Sequence, residues 1–236
     1  MESYNDFMKR IGSFEKPSLS INTQDFSPSQ SVFQKVDENN FFSHFYGDTI
    51  VFDLNSEEKE RILGIIHTLY AEAPECFCER LDDKTLHMTL HDLSNSPIKE
   101  NVLAEVTSNK AKLVEILKKH PLTVQTIKMK TNYIINMVNT SLVLALCPVN
   151  EKEYEKLMAL YHLMDGVKSL PYPFTPHITL AYYSRNAFRQ TSAHRLMECV
   201  SNLNKGEFEV ILNTKRLVYQ RFESMNHYEN TFYLTS

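Results

Sequence analysis

The sequence has little glycine and no tryptophan. Only 5 of its 236 residues are glycine, and neither a G-x-x-x-x-G-K-[ST] nor a G-x-G-x-x-G run occurs, which argues against a P-loop or a Rossmann dinucleotide site. No apolar run approaches the roughly 18 residues of a membrane span, and the first residues have no apolar signal-peptide core. We therefore expect a soluble, cytoplasmic protein without a membrane partner.

The chain also lacks an excess of positive charge and a disulfide framework. Its formal net charge is −4, which argues against duplex DNA as a partner because duplex binding depends on clustered Lys and Arg. A small nucleotide or an RNA end needs only one or two cations. Cys76 and Cys78 are too close for an ordinary disulfide and lack the partners of a zinc site. We expect Cys76, Cys78, Cys147 and Cys199 to be buried or partly buried free thiols.

Residues 1–45 differ in composition from the rest of the chain. They are rich in Ser, Asn, Gln, Phe and Asp, without helical or alternating periodicity over a useful length. Disordered segments usually contain few aromatic residues, so we predict an irregular arm that docks onto the body through its aromatics. These aromatics are Phe26, Phe33, Phe41, Phe42 and Phe45. Residues 46–236 are predicted to form a single domain of two lobes.

Strands and helices alternate from residue 46 onward. A strand at 49–54 precedes a helix that Asn55 or Ser56 caps, with Glu57 and Glu58 in its first turn. Further strands are predicted at 85–93, 122–138, 141–149, 177–183, 209–222 and 230–235, and further helices near 102–117, 151–164 and 186–203. The order strand, helix, H-x-T strand, helix occurs twice, with the motifs 90 residues apart (177 minus 87). This duplication predicts an α+β protein with two pseudo-symmetric sheets.

Two H-x-T-L motifs fall in predicted strands, at 87–90 and 177–180. Strand side chains alternate between faces, so His87 and Thr89 share one face, and His177 and Thr179 share another. Each strand then has an apolar back for packing and a polar front of imidazole and hydroxyl. A core histidine beside an ordinary strand threonine would explain either motif alone. Two copies in matching positions favour a shared functional site.

This set of side chains suits phosphodiester cleavage. Histidine has an unperturbed pKa near 6.5, so at neutral pH one imidazole can be neutral while the other is protonated. The neutral ring can take a proton from water or a ribose hydroxyl, and the protonated ring can give one to the leaving oxygen. Threonine hydroxyls on the same face can donate to the non-bridging phosphate oxygens. The chemistry requires no metal ion and no cofactor.

The segments LHMTL (86–90) and PFTPHITLA (173–181) resemble the paired signatures of the 2H phosphoesterase superfamily. Its members include bacterial and archaeal 2′-5′ RNA ligase-like proteins and cyclic nucleotide phosphodiesterases. The resemblance implies a bilobal, antiparallel-rich fold with a central cleft, helices on the outer faces, and 2′,3′-cyclic or 2′,5′-linked phosphate substrates. His87, Thr89, His177 and Thr179 match the motif positions and are thereby implied as the catalytic residues.

Two features depart from that pattern. The arm exceeds the compact family core, and would cover the cleft or mediate assembly. The first motif continues to His91, which strand alternation places on the active face, where it would bind substrate or simply cap the strand. A zinc site built on His87 and His91 is disfavoured, because four residues of a strand span roughly 13 Å.

Other side chains are candidates for substrate contacts. Tyr183 shares the motif face of the second strand and is the first choice for contacting a base or phosphate. Tyr182, Tyr172 and Phe174 are weaker choices, because aromatics near strands more often belong to the core or rim. Lys128, Lys130, Arg216 and Arg221 could neutralise phosphate, although strand-edge cations are usually only solvated.

The sequence therefore predicts a phosphoric diester hydrolase that acts on a small nucleotide or an RNA end. Two alternatives stay open: an RNA end ligase, which the acidic net charge disfavours, and a non-catalytic nucleotide- or RNA-binding module. Intact His and Thr at all four motif positions disfavour the binding module. The sequence leaves the oligomeric state and the assignment of acid and base open.

Overall fold

The computed structural model describes residues 2–14, 19, 21 and 26–235. Within these ranges the chain forms eight β-strands and six α-helices. The strands are β1 (Tyr46–Asp53), β2 (His87–Ser96), β3 (Thr126–Met137), β4 (Ser141–Pro148), β5 (His177–Tyr182), β6 (Glu209–Asn213), β7 (Leu217–Ser224) and β8 (His227–Tyr233). The helices are α1 (Tyr4–Gly12), α2 (Gln30–Lys35), α3 (Ser56–Glu72), α4 (Leu103–Lys119), α5 (Glu151–Met164) and α6 (Gln190–Leu203).

The eight strands of the described ranges form one antiparallel sheet in the order β6-β3-β4-β5-β2-β1-β7-β8. Each half contains four strands, and the motif strands β2 and β5 meet in the middle, where Met88 pairs with Ile178. The predicted α+β fold of two pseudo-symmetric halves is confirmed. The two predicted sheets are joined edge to edge at this seam.

A short turn at 214–216 shows how strongly the sheet curls. It connects β6, at one edge of the sheet, to β7, next to the other edge. Four residue steps separate Asn213 from Leu217, at most about 14 Å, so the sheet bends into a half-barrel. The prediction of one strand over 209–222 is wrong, because the chain changes partners here. The buried hydroxyl of Thr214 donates to the Thr123 carbonyl (3.1 Å), and β6 pairs with β3 whereas β7 pairs with β1.

Matching caps begin the helices that follow β1 and β4. The Asn55 side chain accepts a hydrogen bond from the Glu58 backbone N–H, and Asn150 accepts one from Glu153 in the same way. The carboxylate of Glu58 accepts a backbone N–H of β6 (2.7 Å), and that of Glu153 accepts a backbone N–H of β3 (2.9 Å). These contacts fix each helix start against the sheet and confirm Asn55 as a cap.

One hydrophobic core lies between the sheet and its helices and spans both halves. It includes Met88 and Ile178 from the motif strands, Leu69 from α3 and Leu157 from α5. The four cysteines are buried, as predicted, and Cys76, Cys78 and Cys199 are free thiols. No helix within the described ranges has the length and apolar character that crossing a membrane requires.

The first 45 residues are not irregular throughout, because they contain α1 and α2. In α1, Phe7 and Ile11 are buried against the core. The six residues of α2 are too few for helical periodicity to show in the sequence. Of the predicted docking aromatics, Phe26 and Phe45 are buried and Phe42 packs partly buried, while Phe33 and Phe41 are exposed.

Candidate active site

A cleft of about 730 Å³ lies on the face of the sheet opposite the core. His87, Thr89, His177 and Thr179 all line it and are partly exposed there. The residues between them in sequence, such as Met88, are buried in the core. Strand alternation therefore brings the four motif side chains to one surface.

The register of the seam gives this surface an approximate two-fold arrangement. Met88 pairs with Ile178 in antiparallel orientation, and extending that register by one residue in each direction sets His87 opposite Thr179 and Thr89 opposite His177. Directly opposed Cα atoms in such a ladder are about 4.5–5.5 Å apart. The two motifs therefore approach each other at the Met88–Ile178 pair, and their polar side chains line the same cleft.

Each imidazole is held by the backbone of the residue two positions earlier. Nδ1 of His177 donates to the carbonyl of Thr175 (2.7 Å), and His87 forms a hydrogen bond with the backbone of Thr85. A carbonyl only accepts, so the neutral His177 ring carries its proton on Nδ1 and leaves Nε2 as an acceptor. The repeated unit is therefore T-x-H-x-T-L at 85–90 and 175–180, which is longer than the H-x-T-L motif seen first.

Burial lowers the pKa of both imidazoles. The pKa of His87 is lowered to about 4 because the surrounding protein desolvates its charged form, against the opposing effects of the Thr85 hydrogen bond and the Asp92 carboxylate. Desolvation also lowers the pKa of His177, again opposed by the Thr175 hydrogen bond and Asp92. Both rings are therefore mainly neutral at pH 7 in the free protein.

A β-bulge follows each motif at the same position. The register between β1 and β2 skips Leu90, and the register between β4 and β5 skips Leu180. An extra residue in one strand reverses the alternation of every side chain beyond it. The two bulges therefore change which residues face the cleft after each threonine.

The prediction that Tyr183 faces the cleft is wrong for this reason. Beyond the bulge at Leu180, Tyr182 lines the cleft. Tyr183 is fully buried (0% exposed) and packs against Phe26 and Phe77 in the core.

The prediction that His91 faces the cleft is wrong for the same reason. Its ring is buried, with Nδ1 donating to the carbonyl of Asp92 (2.7 Å) and Nε2 lying 3.2 Å from the Asp165 carboxylate. Asp92 lines the cleft instead. The hydroxyl of Tyr172 donates to its carboxylate (3.1 Å).

Aromatic rings and one lysine complete the cleft. The ring of Tyr228 meets His87 edge-on, with 5.2 Å between centroids, and Tyr172 and Phe174 also line the wall. Lys35, from α2 of the arm, is the only Lys or Arg among the described lining residues. The four cations considered from the sequence, Lys128, Lys130, Arg216 and Arg221, do not line it.

The sequence alone does not point to Lys35, Tyr228 or Asp92, for different reasons. Lys35 and Tyr228 lie far from both motifs in sequence, on a six-residue helix and a hairpin strand, and no local pattern connects them to the motifs. Simple alternation along β2 places Asp92 on the opposite face from His87, because the sequence does not reveal the bulge at Leu90. Among the described residues, no three His, Cys, Asp or Glu side chains are grouped so that they could hold a metal ion.

No protein-family model matches the chain, and no curated protein sequence matches it significantly. Solved structures do match. ATU0111, a conserved protein of unknown function from Agrobacterium tumefaciens, superposes with a TM-score of 0.65 over 94% of this chain and 98% of its own, at 13% identity. The chain shares the fold of that protein.

Two further structures are matched at lower similarity. TT0787 of Thermus thermophilus has a TM-score of 0.49 at 14% identity, over 78% of this chain and 94% of its own. E. coli LigT complexed with 3′-AMP has a TM-score of 0.45 at 15% identity, over 80% of this chain and 96% of its own.

Proposed function

We propose that this protein is a metal-independent phosphodiesterase of the 2H type, which hydrolyses a small 2′,3′-cyclic or 2′,5′-linked nucleotide or an RNA end. The observation that carries the proposal is the seam between β2 and β5. There the two T-x-H-x-T segments place two imidazoles and two threonine hydroxyls on one cleft. General acid–base cleavage of a phosphodiester needs this pair of functions within reach of one phosphorus atom.

In the proposed reaction, the imidazole that is neutral takes a proton from water on Nε2. The water oxygen forms the new bond to phosphorus, and the bond from phosphorus to the leaving ribose oxygen breaks. The second imidazole, protonated in the complex, gives its proton to that oxygen. The hydroxyls of Thr89 and Thr179 donate to the non-bridging oxygens, where negative charge accumulates. After product release, a proton exchanged with solvent restores the starting state.

The walls of the cleft favour a nucleotide over a simple phosphodiester. Tyr172, Phe174, Tyr182 and Tyr228 line it, and nucleobases stack on aromatic rings. The exposed carboxylate of Asp92 can accept hydrogen bonds from base amino groups or ribose hydroxyls. A volume of about 730 Å³ is in the range of small-molecule sites.

The test is turnover by the purified protein, with EDTA present, on 2′,3′-cyclic nucleotides, 2′,5′-linked oligoadenylates and cyclic dinucleotides. We expect hydrolysis of at least one class, with His87→Ala and His177→Ala each lowering kcat by roughly 10²–10⁴-fold, as for lost proton transfer. His67→Ala is the matched control, because His67 is exposed on α3 away from the cleft.

Three outcomes would contradict the proposal. Activity that chelation abolishes would contradict the metal-independent mechanism. Activity that neither His87→Ala nor His177→Ala reduces would show that the active site lies elsewhere in the protein. Tight nucleotide binding without turnover on any substrate would favour the binding module.

A further inference from the structure

Helix α2 of the arm is fastened at its start to one half of the sheet. At its start, the hydroxyls of Ser29 and Ser31 form mutual hydrogen bonds with the hydroxyl of Thr140, at 2.6–2.8 Å. The backbone N–H of Ser29 also donates to the carbonyl of Asn139 (3.0 Å). Both partners belong to the turn between β3 and β4, in one half of the sheet.

The segment after α2 is fastened first to the residues that follow β5, in the same half of the sheet, and then to β7, in the other half. The side-chain oxygen of Asn40 accepts hydrogen bonds from the Ser184 hydroxyl (3.0 Å) and the Arg185 backbone N–H (2.8 Å). Further along, the backbone N–H of Phe45 donates to the carbonyl of Glu223 in β7 (2.9 Å). The arm between these anchors is therefore a fixed wall of the cleft.

This wall presents Lys35 to the cleft. Its ammonium lies 5.1 Å from the ring centroid of Phe45 and 5.4 Å from that of Tyr182, so two aromatic faces hold it. Desolvation lowers the pKa of Lys35, while the charge of Asp92 opposes that effect. Within the described lining there is no other Lys or Arg.

The charges that line the cleft make Lys35 important for binding an anion. With both imidazoles neutral, the lining carries the Asp92 carboxylate and the Lys35 ammonium. A phosphodiester carries a negative charge, and without Lys35 it would meet only the like charge of Asp92. Electrostatic attraction in a partly dehydrated cleft is stronger than in water, so one ammonium can decide whether the anion binds.

We propose that Lys35 binds a phosphate group of the substrate, which makes the N-terminal arm part of the active site. The inference rests on the proposed function, because it requires a phosphate-bearing ligand in this cleft. Lys35 recognises charge, whereas the aromatic wall recognises the base. Loss of the ammonium should therefore weaken binding of phosphorylated ligands and leave binding of the uncharged nucleoside unchanged.

The experiment compares Lys35→Met, Lys35→Arg and the wild type by titration calorimetry with adenosine, 2′-AMP and 3′-AMP. Methionine retains an apolar stem against Phe45 and Tyr182, whereas arginine retains the charge. We expect Lys35→Met to weaken the two nucleotides by roughly 10- to 100-fold, as for a charge-assisted hydrogen bond. Adenosine affinity should stay unchanged, and arginine should restore most of the nucleotide affinity. Lys118→Met, at an exposed position of α4, controls for net charge.

Turnover separates the reacting phosphate from a second one. The KM for 2′,3′-cyclic AMP, which has one phosphate, should rise in Lys35→Met if Lys35 contacts the reacting group. The same measurement is made with 2′,3′-cyclic AMP that carries an additional 5′-phosphate. A rise of KM for this second compound alone would assign Lys35 to its 5′-phosphate. Unchanged nucleotide affinity in Lys35→Met, beside an active wild type, would overturn this inference alone. A wild type that neither binds nor hydrolyses phosphorylated ligands would overturn the proposed function as well.

Discussion

The two imidazoles of the cleft differ from exposed histidines in the pH range over which they ionise. Desolvation lowers the pKa of His87 to about 4 and also lowers that of His177. An imidazole whose pKa is lowered by desolvation binds its proton only at a pH below the usual range. The acid of the pair is therefore protonated in a minority of free molecules at pH 7, and a bound anion would raise that fraction.

This ionisation predicts an acidic optimum for kcat/KM, which reports on the free enzyme. We expect the maximum to lie between about pH 4, the pKa of His87, and the ordinary histidine value of about 6.5. Above this window the acid loses its proton, and kcat/KM should fall about tenfold per pH unit. Below it the base becomes protonated. The measurement is kcat/KM from about pH 3.5 to about pH 9, with circular dichroism to monitor folding.

Asp92→Asn is the matched variant for the pH profile. The Asp92 carboxylate raises the pKa of both imidazoles, so its removal should shift both limbs of the profile to lower pH. A wild-type optimum at or above pH 7 would contradict the role of burial.

At the scale of elements, the alternation of side chains along each motif strand predicts correctly which residues face the cleft as far as the threonine. Beyond the threonine the prediction fails. Helix 151–164 was predicted with the bounds that the structure shows, because its cap and its apolar face both lie in local sequence. The bulges at Leu90 and Leu180 depend on the register with β1 and β4. Such pairing joins distant residues, so the sequence of β2 or β5 alone does not reveal it. The misplacement of His91 and Tyr183 follows from this.

The bulge at Leu180 predicts opposite results for two adjacent tyrosines. Tyr182→Leu removes a ring from the cleft and should raise KM about tenfold, since stacking of a base contributes about 1–3 kcal/mol. Tyr183→Phe should leave KM unchanged. The Tyr183 hydroxyl is buried without a hydrogen-bond partner among the described residues, so its removal should raise the free energy of unfolding by about 1 kcal/mol.

Steady-state kinetics and urea unfolding of both variants check this pair of expectations. A large rise of KM in Tyr183→Phe, with none in Tyr182→Leu, would contradict the bulge at Leu180. It would support uninterrupted alternation along β5, with Tyr183 facing the cleft.

At the scale of the whole molecule, the two halves share one core. The main cluster joins residues of α1, α3 and α5 to both motif strands, so the principal hydrophobic interior of the described residues spans both halves. The sequence predicted two lobes from its duplication, but the joining of their cores depends on the seam, which no local pattern encodes. A shared core favours unfolding in a single cooperative step.

Labelling of the four cysteine thiols during unfolding tests whether the two halves unfold together. Cys76, Cys78, Cys147 and Cys199 are buried, and burial raises the pKa of three of them, to about 12 for Cys76. Dithionitrobenzoate should therefore label none of them rapidly in native buffer, and all four should become reactive over one urea transition that coincides with circular dichroism. Early labelling of one pair alone would indicate that one half opens independently.

The pairing of β1 with β7 also has a consequence for biosynthesis. Phe52 is paired with Leu217, a residue made 165 positions later (217 minus 52). At roughly 5–20 residues per second, a ribosome needs about 8–33 s to cover that interval. Throughout it, one side of β1 has no partner strand, and an unpaired strand edge invites association with other chains. The nascent polypeptide is thus vulnerable to aggregation throughout this interval, which is when chaperones would protect it.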